Sequence, residues 1–202
     1  GLFAIHGKAG CGKSILMKFL GDNDSVSNIL RRWAGMNTKL VVVKMFFWRS
    51  ADKLQKSMAG FYRTILFHII RQCPEFVEIL LPYDSDNFRL NVSAFTKVEF
   101  RLSELHNAFQ RISLVHAGSA TTHSFCYSID GLDEYEGDNV DQKFLAEQIA
   151  SWCKPLQSDR VKVIVSSRPN TVFRKVFGED AGDVTMNLHE VTKDDIVAFV
   201  QS

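Results

Sequence analysis

Eight residues near the start of the chain, Gly7-Lys8-Ala9-Gly10-Cys11-Gly12-Lys13-Ser14, complete the spacing G-x-x-x-x-G-K-[ST]. The residues on either side suit it. Leu2-Phe3-Ala4-Ile5-His6 is a short apolar run of strand type, and Ile15-Leu16-Met17-Lys18-Phe19-Leu20 continues as a helix. Glycine at positions 7, 10 and 12 lets the backbone turn tightly and bring its N–H groups against phosphate oxygens. The helix that starts near Gly12 adds the positive end of its dipole at the same place. Lys13 is placed to reach the β- and γ-phosphates of a nucleotide, and the Ser14 hydroxyl to hold Mg²⁺. A strand, a glycine-rich turn and a helix in this order also restrict the fold, because the unit normally sits at the carboxyl end of a parallel strand.

The rest of the chain continues the alternation. Leu40 to Trp48 is β-branched and aromatic, the pattern of a buried parallel strand. Leu54, Met58, Phe61, Ile65 and Ile69 then follow at helical steps, and Pro74 ends that helix. Residues 75–97, with Pro82 and an Asp-Ser-Asp-Asn run, read as a loop insertion. Leu102, Leu105, Phe109, Ile112 and Val115 trace one further amphipathic helix. Ser124 to Asp130 reads as a strand, Phe144 to Trp152 as a helix and Val161 to Ser166 as a strand. Val172 to Phe177 is a short helix, Val184 to Leu188 a fifth strand, and a last helix begins at Lys193 with Thr192 as its N-cap. The expected fold class is α/β: a three-layer α/β/α sandwich around a central, mostly parallel five-stranded sheet.

Bulk properties exclude several classes. At 202 residues and 46% hydrophobic content, the chain can bury a sizeable core. A formal net charge of +1 gives no electrostatic case for nucleic acid or a membrane surface as partner. No stretch approaches the roughly 18 consecutive apolar residues of a membrane span. The chain opens without Met and without a leader-peptide pattern, so it reads as a piece of a longer, cytoplasmic protein. Cys11, Cys73, Cys126 and Cys153 are far apart and the six histidines show no ligand spacing, so neither zinc nor a redox dithiol is suggested. Cys11 inside the loop suits a reducing compartment, but a small residue whose backbone faces the phosphate is the simpler account.

Chemistry beyond the loop concentrates at two strand ends. Asp130 closes an apolar strand, where an acidic residue holds Mg²⁺ directly or through water. Asp133 and Glu134 follow just beyond it, and one of them can orient or deprotonate an attacking water. Arg168, in Ser166-Ser167-Arg168-Pro169, closes the next strand and can neutralise γ-phosphate charge. Trp48-Arg49 is a softer candidate, with Arg49 either near nucleotide or stacked on Trp48.

Taken together, the loop, Phe46-Phe47-Trp48-Arg49-Ser50, Ile129-Asp130-Gly131-Leu132-Asp133-Glu134-Tyr135-Glu136-Gly137 and Val165-Ser166-Ser167-Arg168-Pro169 resemble the NACHT domain of STAND-type P-loop NTPases, in particular fungal NOD-like receptors. The resemblance implies an ATP- or GTP-binding, slowly hydrolysing switch that controls oligomerisation and regulated cell death or an immune response. Effector and sensor domains would lie in cis. It implies nucleotide contacts along Gly7, Lys8, Ala9, Gly10, Cys11, Gly12, Lys13, Ser14 and Ile15, with Mg²⁺ at Ser14 and Asp130. Asp133 or Glu134 would aid hydrolysis and Arg168 would act as sensor 1. It also implies that the Arg168 strand lies between the loop strand and the Asp130 strand. Residues 1–190 would form the nucleotide-binding domain, and 191–202 would begin a truncated helical domain. Ile15 stands where many relatives have Thr. The competing reading is a turnover enzyme such as a small-molecule kinase or another AAA+-like ATPase.

Overall fold

The computed structural model describes residues 1–47, 57–81, 100–118, 122–153, 159–169, 171–178 and 184–192. Five strands, β1 (Leu2–His6), β2 (Lys39–Phe46), β3 (His123–Asp130), β4 (Val161–Ser167) and β5 (Val184–Asn187), form one sheet in the order β2-β3-β4-β1-β5. Every pairing is parallel. The Arg168 strand therefore lies between the loop strand and the Asp130 strand, as the resemblance implies.

Alternation along β1 explains the two helical layers, since successive side chains leave opposite faces. Leu2 and Ala4 join a large core, while Phe3 and Ile5 pack into a smaller one with Met17 and Leu188. The large core takes the apolar stripe of α3 (Met58–Gln72), with Phe61, Ile65 and Ile69 fully buried. It also takes α5 (Leu102–Gln110), α6 (Ile112–Gly118), α7 (Asn139–Ser151) and α8 (Thr171–Val176). The opposite layer holds α1 (Lys13–Asp22), α2 (Asp24–Ala34) and the short α9 (Leu188–Val191). Strand β3 is buried from Ser124 to Asp130, as a strand covered on both faces must be.

Several boundaries depart from the sequence reading. Strand β2 is an edge strand rather than a fully buried one, with Val41, Val43 and Met45 buried and Leu40, Val42 and Lys44 half-buried. Lys44 turns this to use, donating to the Gly21 carbonyl at 2.7 Å and pairing with Asp22 at 2.9 Å. For residues 24–34 the pattern reading assigns no element, yet α2 forms there. The Asn23 side chain caps its Ser25 and Val26 amides, and Val26, Ile29, Leu30, Trp33 and Ala34 recur at helical steps along one stripe, of which only Ala34 is fully buried.

The start of the expected loop insertion is helical instead. A 3₁₀ turn at Pro74–Phe76 leads into α4 (Val77–Leu80), because Phe76 and Leu80 have core positions to fill. Residues 82–97 lie outside the described residues. The single helix expected from Leu102 to Val115 is two, broken at Arg111, whose guanidinium donates to the Leu80 carbonyl. Thr192 closes α9, its amide and hydroxyl both donating to the Leu188 carbonyl, and the helix it is expected to cap lies outside the described residues. Strand β5 accordingly stops at Asn187. Trp48, Arg49, Leu54 and the helix expected from Lys193 lie outside the described residues.

One buried titratable group makes the fold pH-sensitive. The His116 Nε2 is hydrogen-bonded with the Tyr127 hydroxyl at 2.7 Å, and the ring packs against Phe125 and Trp152. Burial pushes its pKa down from 6.5 to about 3. The folded state thus refuses a proton that the unfolded chain accepts. Its stabilising contribution is complete above 6.5 and is lost as pH falls toward 3. The loss is about 1.4 kcal/mol per pH unit at its steepest. Denaturant titrations between about pH 7 and pH 4 should show this slope, and His116→Asn should flatten it by about one proton.

Candidate functional site

The glycine loop runs from the carboxyl end of β1 to α1 and is tied to the neighbouring strand by the Gly7 amide, which donates to the Ser167 carbonyl at 3.2 Å. Gly10 and Gly12 adopt φ of +76° and +89°, values that side-chain-bearing residues rarely take. At Gly7 the reason is space, since an added Cβ would fall 2.4 Å from Cys11 Sγ. No side chain caps α1 and its first turn carries no acid, so its amino end is free of competing anions. Lys13 folds back over the loop, its Nζ donating to the carbonyls of Gly7 at 2.7 Å and Lys8 at 3.1 Å. An ammonium in that position stands over the concavity that phosphate oxygens would fill.

Ala9, Gly10, Gly12, Lys13, Ser14 and Ile15 line one side of a cavity of about 290 Å³; Asp130, Gly131, Asp133, Glu134 and Arg168 line the other. Parallel pairing makes this possible: the ends of β1, β3 and β4 are adjacent, so residues far apart in sequence share one rim. Gly7 and Lys8 contribute carbonyls to Lys13, and the Cys11 side chain packs beneath Gly7.

Asp130 is 4% exposed and accepts from the Ser166 hydroxyl, which in turn accepts from the Gly131 amide at 3.1 Å. Ser166 thereby fixes the carboxylate through one oxygen, and the other has no partner among the described residues. A buried carboxylate oxygen on one side of the cavity and the Ser14 hydroxyl on the other fit a hard divalent cation such as Mg²⁺. Gly131 has φ +77°, and an added Cβ would lie 2.9 Å from the Phe47 carbonyl. This kink turns the chain into the 3₁₀ turn Leu132–Glu134 and carries both following acids to the rim.

Those two acids differ in occupation. Asp133 binds Arg168 twice, accepting from its backbone amide at 2.8 Å and pairing with its Nε at 3.0 Å. The Asp133 side chain is 10% exposed and that of Arg168 37%. Glu134 makes no such pair among the described residues and faces both the smaller cavity and an adjoining one of about 640 Å³. The adjoining cavity runs between α1 and the end of β2, past Lys18, Asp22, Lys44 and Phe46.

Two contributors carry no site signal in the sequence. Ser166 orients Asp130, and a hydroxyl at the end of a buried strand is the only hint of it. His6 packs beneath the loop with Nδ1 3.1 Å from Ser167 Oγ. Burial, then the nearby charges of Arg174 and Lys13, push its pKa down, so the ring stays neutral beside the loop lysine.

A parallel sheet with a glycine-rich loop after an interior strand and acids after its second neighbour defines a P-loop-like three-layer α/β/α sandwich. The family follows from the chain itself: it belongs to the nephrocystin 3 N-terminal family, whose model matches residues 1–168. That span runs from β1 through Arg168 and so includes every residue lining the smaller cavity. None of the curated proteins matches the chain. No helix among the described residues is long and apolar enough to cross a membrane.

Proposed function

We propose that the chain is the nucleotide-binding unit of a NACHT-type signalling protein: it binds ATP or GTP with Mg²⁺ and hydrolyses it slowly, so that nucleotide state sets conformation. One observation carries the reading. The loop, the anchored Asp130, Arg168 and Glu134, which has no ion pair among the described residues, meet around a single cavity at the carboxyl ends of three adjacent strands.

Roles follow from the chemistry of each side chain. Loop amides and the α1 amino end hold the phosphates, with Lys13 exchanging carbonyl partners for phosphate oxygens. Ser14 and Asp130 would hold the cation, which would supply neutralisation of phosphate charge. Glu134 is the better candidate to orient water, because Asp133 is committed to Arg168. Asp133 acts through Arg168 as a positioning residue: it holds the guanidinium at the rim, where a γ-phosphate would arrive.

Arg168 then contributes only in the triphosphate state, the differential affinity that shifts a conformational population. Arg168→Ala should cut the preference for triphosphate over diphosphate by about tenfold, as loss of a charge-assisted hydrogen bond would. Calorimetric titration with both nucleotides reads this directly.

Self-association, effector and sensor domains in cis, and cytoplasmic location form part of the same proposal. A binding titration with and without Mg²⁺, followed by steady-state turnover, tests it. Mg²⁺-dependent binding with turnover well below about 1 s⁻¹ is expected. The cavity of about 640 Å³ beside Asp130 and Glu134 favours a second reading, a phosphoryl-transfer enzyme with an acceptor pocket. Rapid transfer to an added metabolite would establish that reading and exclude the switch.

A further inference from the structure

The end of the sheet opposite the loop gathers a second set of chemically active side chains. Cys73 caps the carboxyl end of α3, Glu75 sits in the 3₁₀ turn after it, and His123 opens β3. One ligand atom from each of these residues lies within 4.8 Å of the other two. Lys39 opens β2 directly beside His123, and the eight-residue strands separate this cluster from the nucleotide cavity by about 23 Å.

We propose that Cys73, Glu75 and His123 form a binding site for a thiophilic divalent cation, zinc foremost, with water as fourth ligand. Sulfur, imidazole nitrogen and carboxylate oxygen form a donor set suited to tetrahedral zinc. Zinc ligand atoms stand about 3.3–3.8 Å apart at ordinary bond lengths. Separations of no more than 4.8 Å lie close to that range, and the 3.1 Å Nε2–Oε1 pair need open only slightly. Glu75 is half-exposed and has room to move.

The surroundings of His123 match those of a metal-bound imidazole. Its Nδ1 is 2.8 Å from the Thr122 hydroxyl, and its ring packs edge-on against Phe76 and in parallel with Phe125. The Nε2 atom points at Glu75 Oε1, 3.1 Å away. Without a cation, Nε2–H donates to Glu75 and the Thr122 hydroxyl donates to Nδ1. With one, the Nε2 lone pair binds the cation and Nδ1–H donates to Thr122. A hydroxyl serves both tautomers, so the ring need not turn.

Two local features oppose binding and yield the tests. Burial pushes the Cys73 thiol up, so zinc must displace its proton to solvent, and affinity rises with pH. The Lys39 ammonium lies 3.7 Å from Glu75 Oε1 and donates to the Gln72 carbonyl, so it competes for the carboxylate. Its half-exposed side chain can swing into solvent. Once bound, zinc would tie the end of α3 and the turn after it to the sheet edge.

The experiment is a Zn²⁺ titration of metal-stripped protein without nucleotide and in excess Mg²⁺, which fills the Ser14 and Asp130 site. One zinc per chain is expected, with a rise in melting temperature. Co²⁺ in its place should give the near-ultraviolet thiolate charge-transfer band, which Cys73→Ser removes. His123→Ala should weaken Zn²⁺ binding at least about tenfold, and Lys39→Met should strengthen it. If Cys73→Ser does not fold, His123→Ala, near the surface, still decides. No zinc bound, no charge-transfer band in the Co²⁺ protein, or Zn²⁺ affinity unchanged by His123→Ala would each overturn the proposal.

Discussion

Lys13→Ala is expected to weaken nucleotide binding by about a hundredfold while leaving the fold intact. The ammonium now spans the loop between the Gly7 and Lys8 carbonyls, contacts that lie at or near solvent and add little to stability. Against a triphosphate the same group faces concentrated negative charge at a helix amino end. Loss of a charge-assisted hydrogen bond there costs about 2–3 kcal/mol, or about 30- to 150-fold in affinity. The loop also loses the side chain that covers its concavity, so the measured loss should lie at the upper end. Titration with a fluorescent nucleotide, beside a melting curve, separates affinity from folding. Unchanged affinity would mean that phosphate does not bind at this loop.

Glu134→Gln is expected to keep nucleotide affinity and lower hydrolysis by about 10²–10⁴, the usual contribution of a positioned acid–base group. The amide is nearly isosteric, so the cavity keeps its shape while losing a proton acceptor. Asp133→Asn is the informative contrast. It should loosen Arg168, whose backbone amide and Nε both bind Asp133, and so impair triphosphate recognition more than the hydrolytic step. Single-turnover rates at saturating nucleotide, together with dissociation constants, distinguish the two outcomes. A drop in hydrolysis with Asp133→Asn but none with Glu134→Gln would reverse the roles assigned to these acids.

Much of this site is legible in the residues because its parts are local. Strand, glycine turn and helix occupy 21 consecutive residues, from Leu2 to Asp22. Their conformation follows from apolar patterning and glycine's access to positive φ. Asp130 and Arg168 stand out because each ends an apolar strand. Two features are missed for different reasons. Helix α2 has a regular apolar stripe, Val26, Ile29, Leu30, Trp33 and Ala34, that the pattern reading passes over, and only Ala34 of it is fully buried. The break at Arg111 depends on the distant Leu80 carbonyl and leaves no periodic signal.

By itself the amino-acid sequence determined the loop's conformation, the residue types at the strand ends and the parallel α/β class, since each follows from short-range sterics and periodicity. Only the tertiary structure decided which of the two acids after β3 pairs with Arg168. Asp133 and Arg168 are 35 positions apart and meet because β3 pairs with β4. Likewise Cys73, Glu75 and His123 carry no ligand spacing, and the fold assembles them where α3 ends beside the first residues of β3. The physical reason is the same in both cases: a hydrogen-bonded parallel sheet sets which chain ends are neighbours, and that choice depends on the whole core.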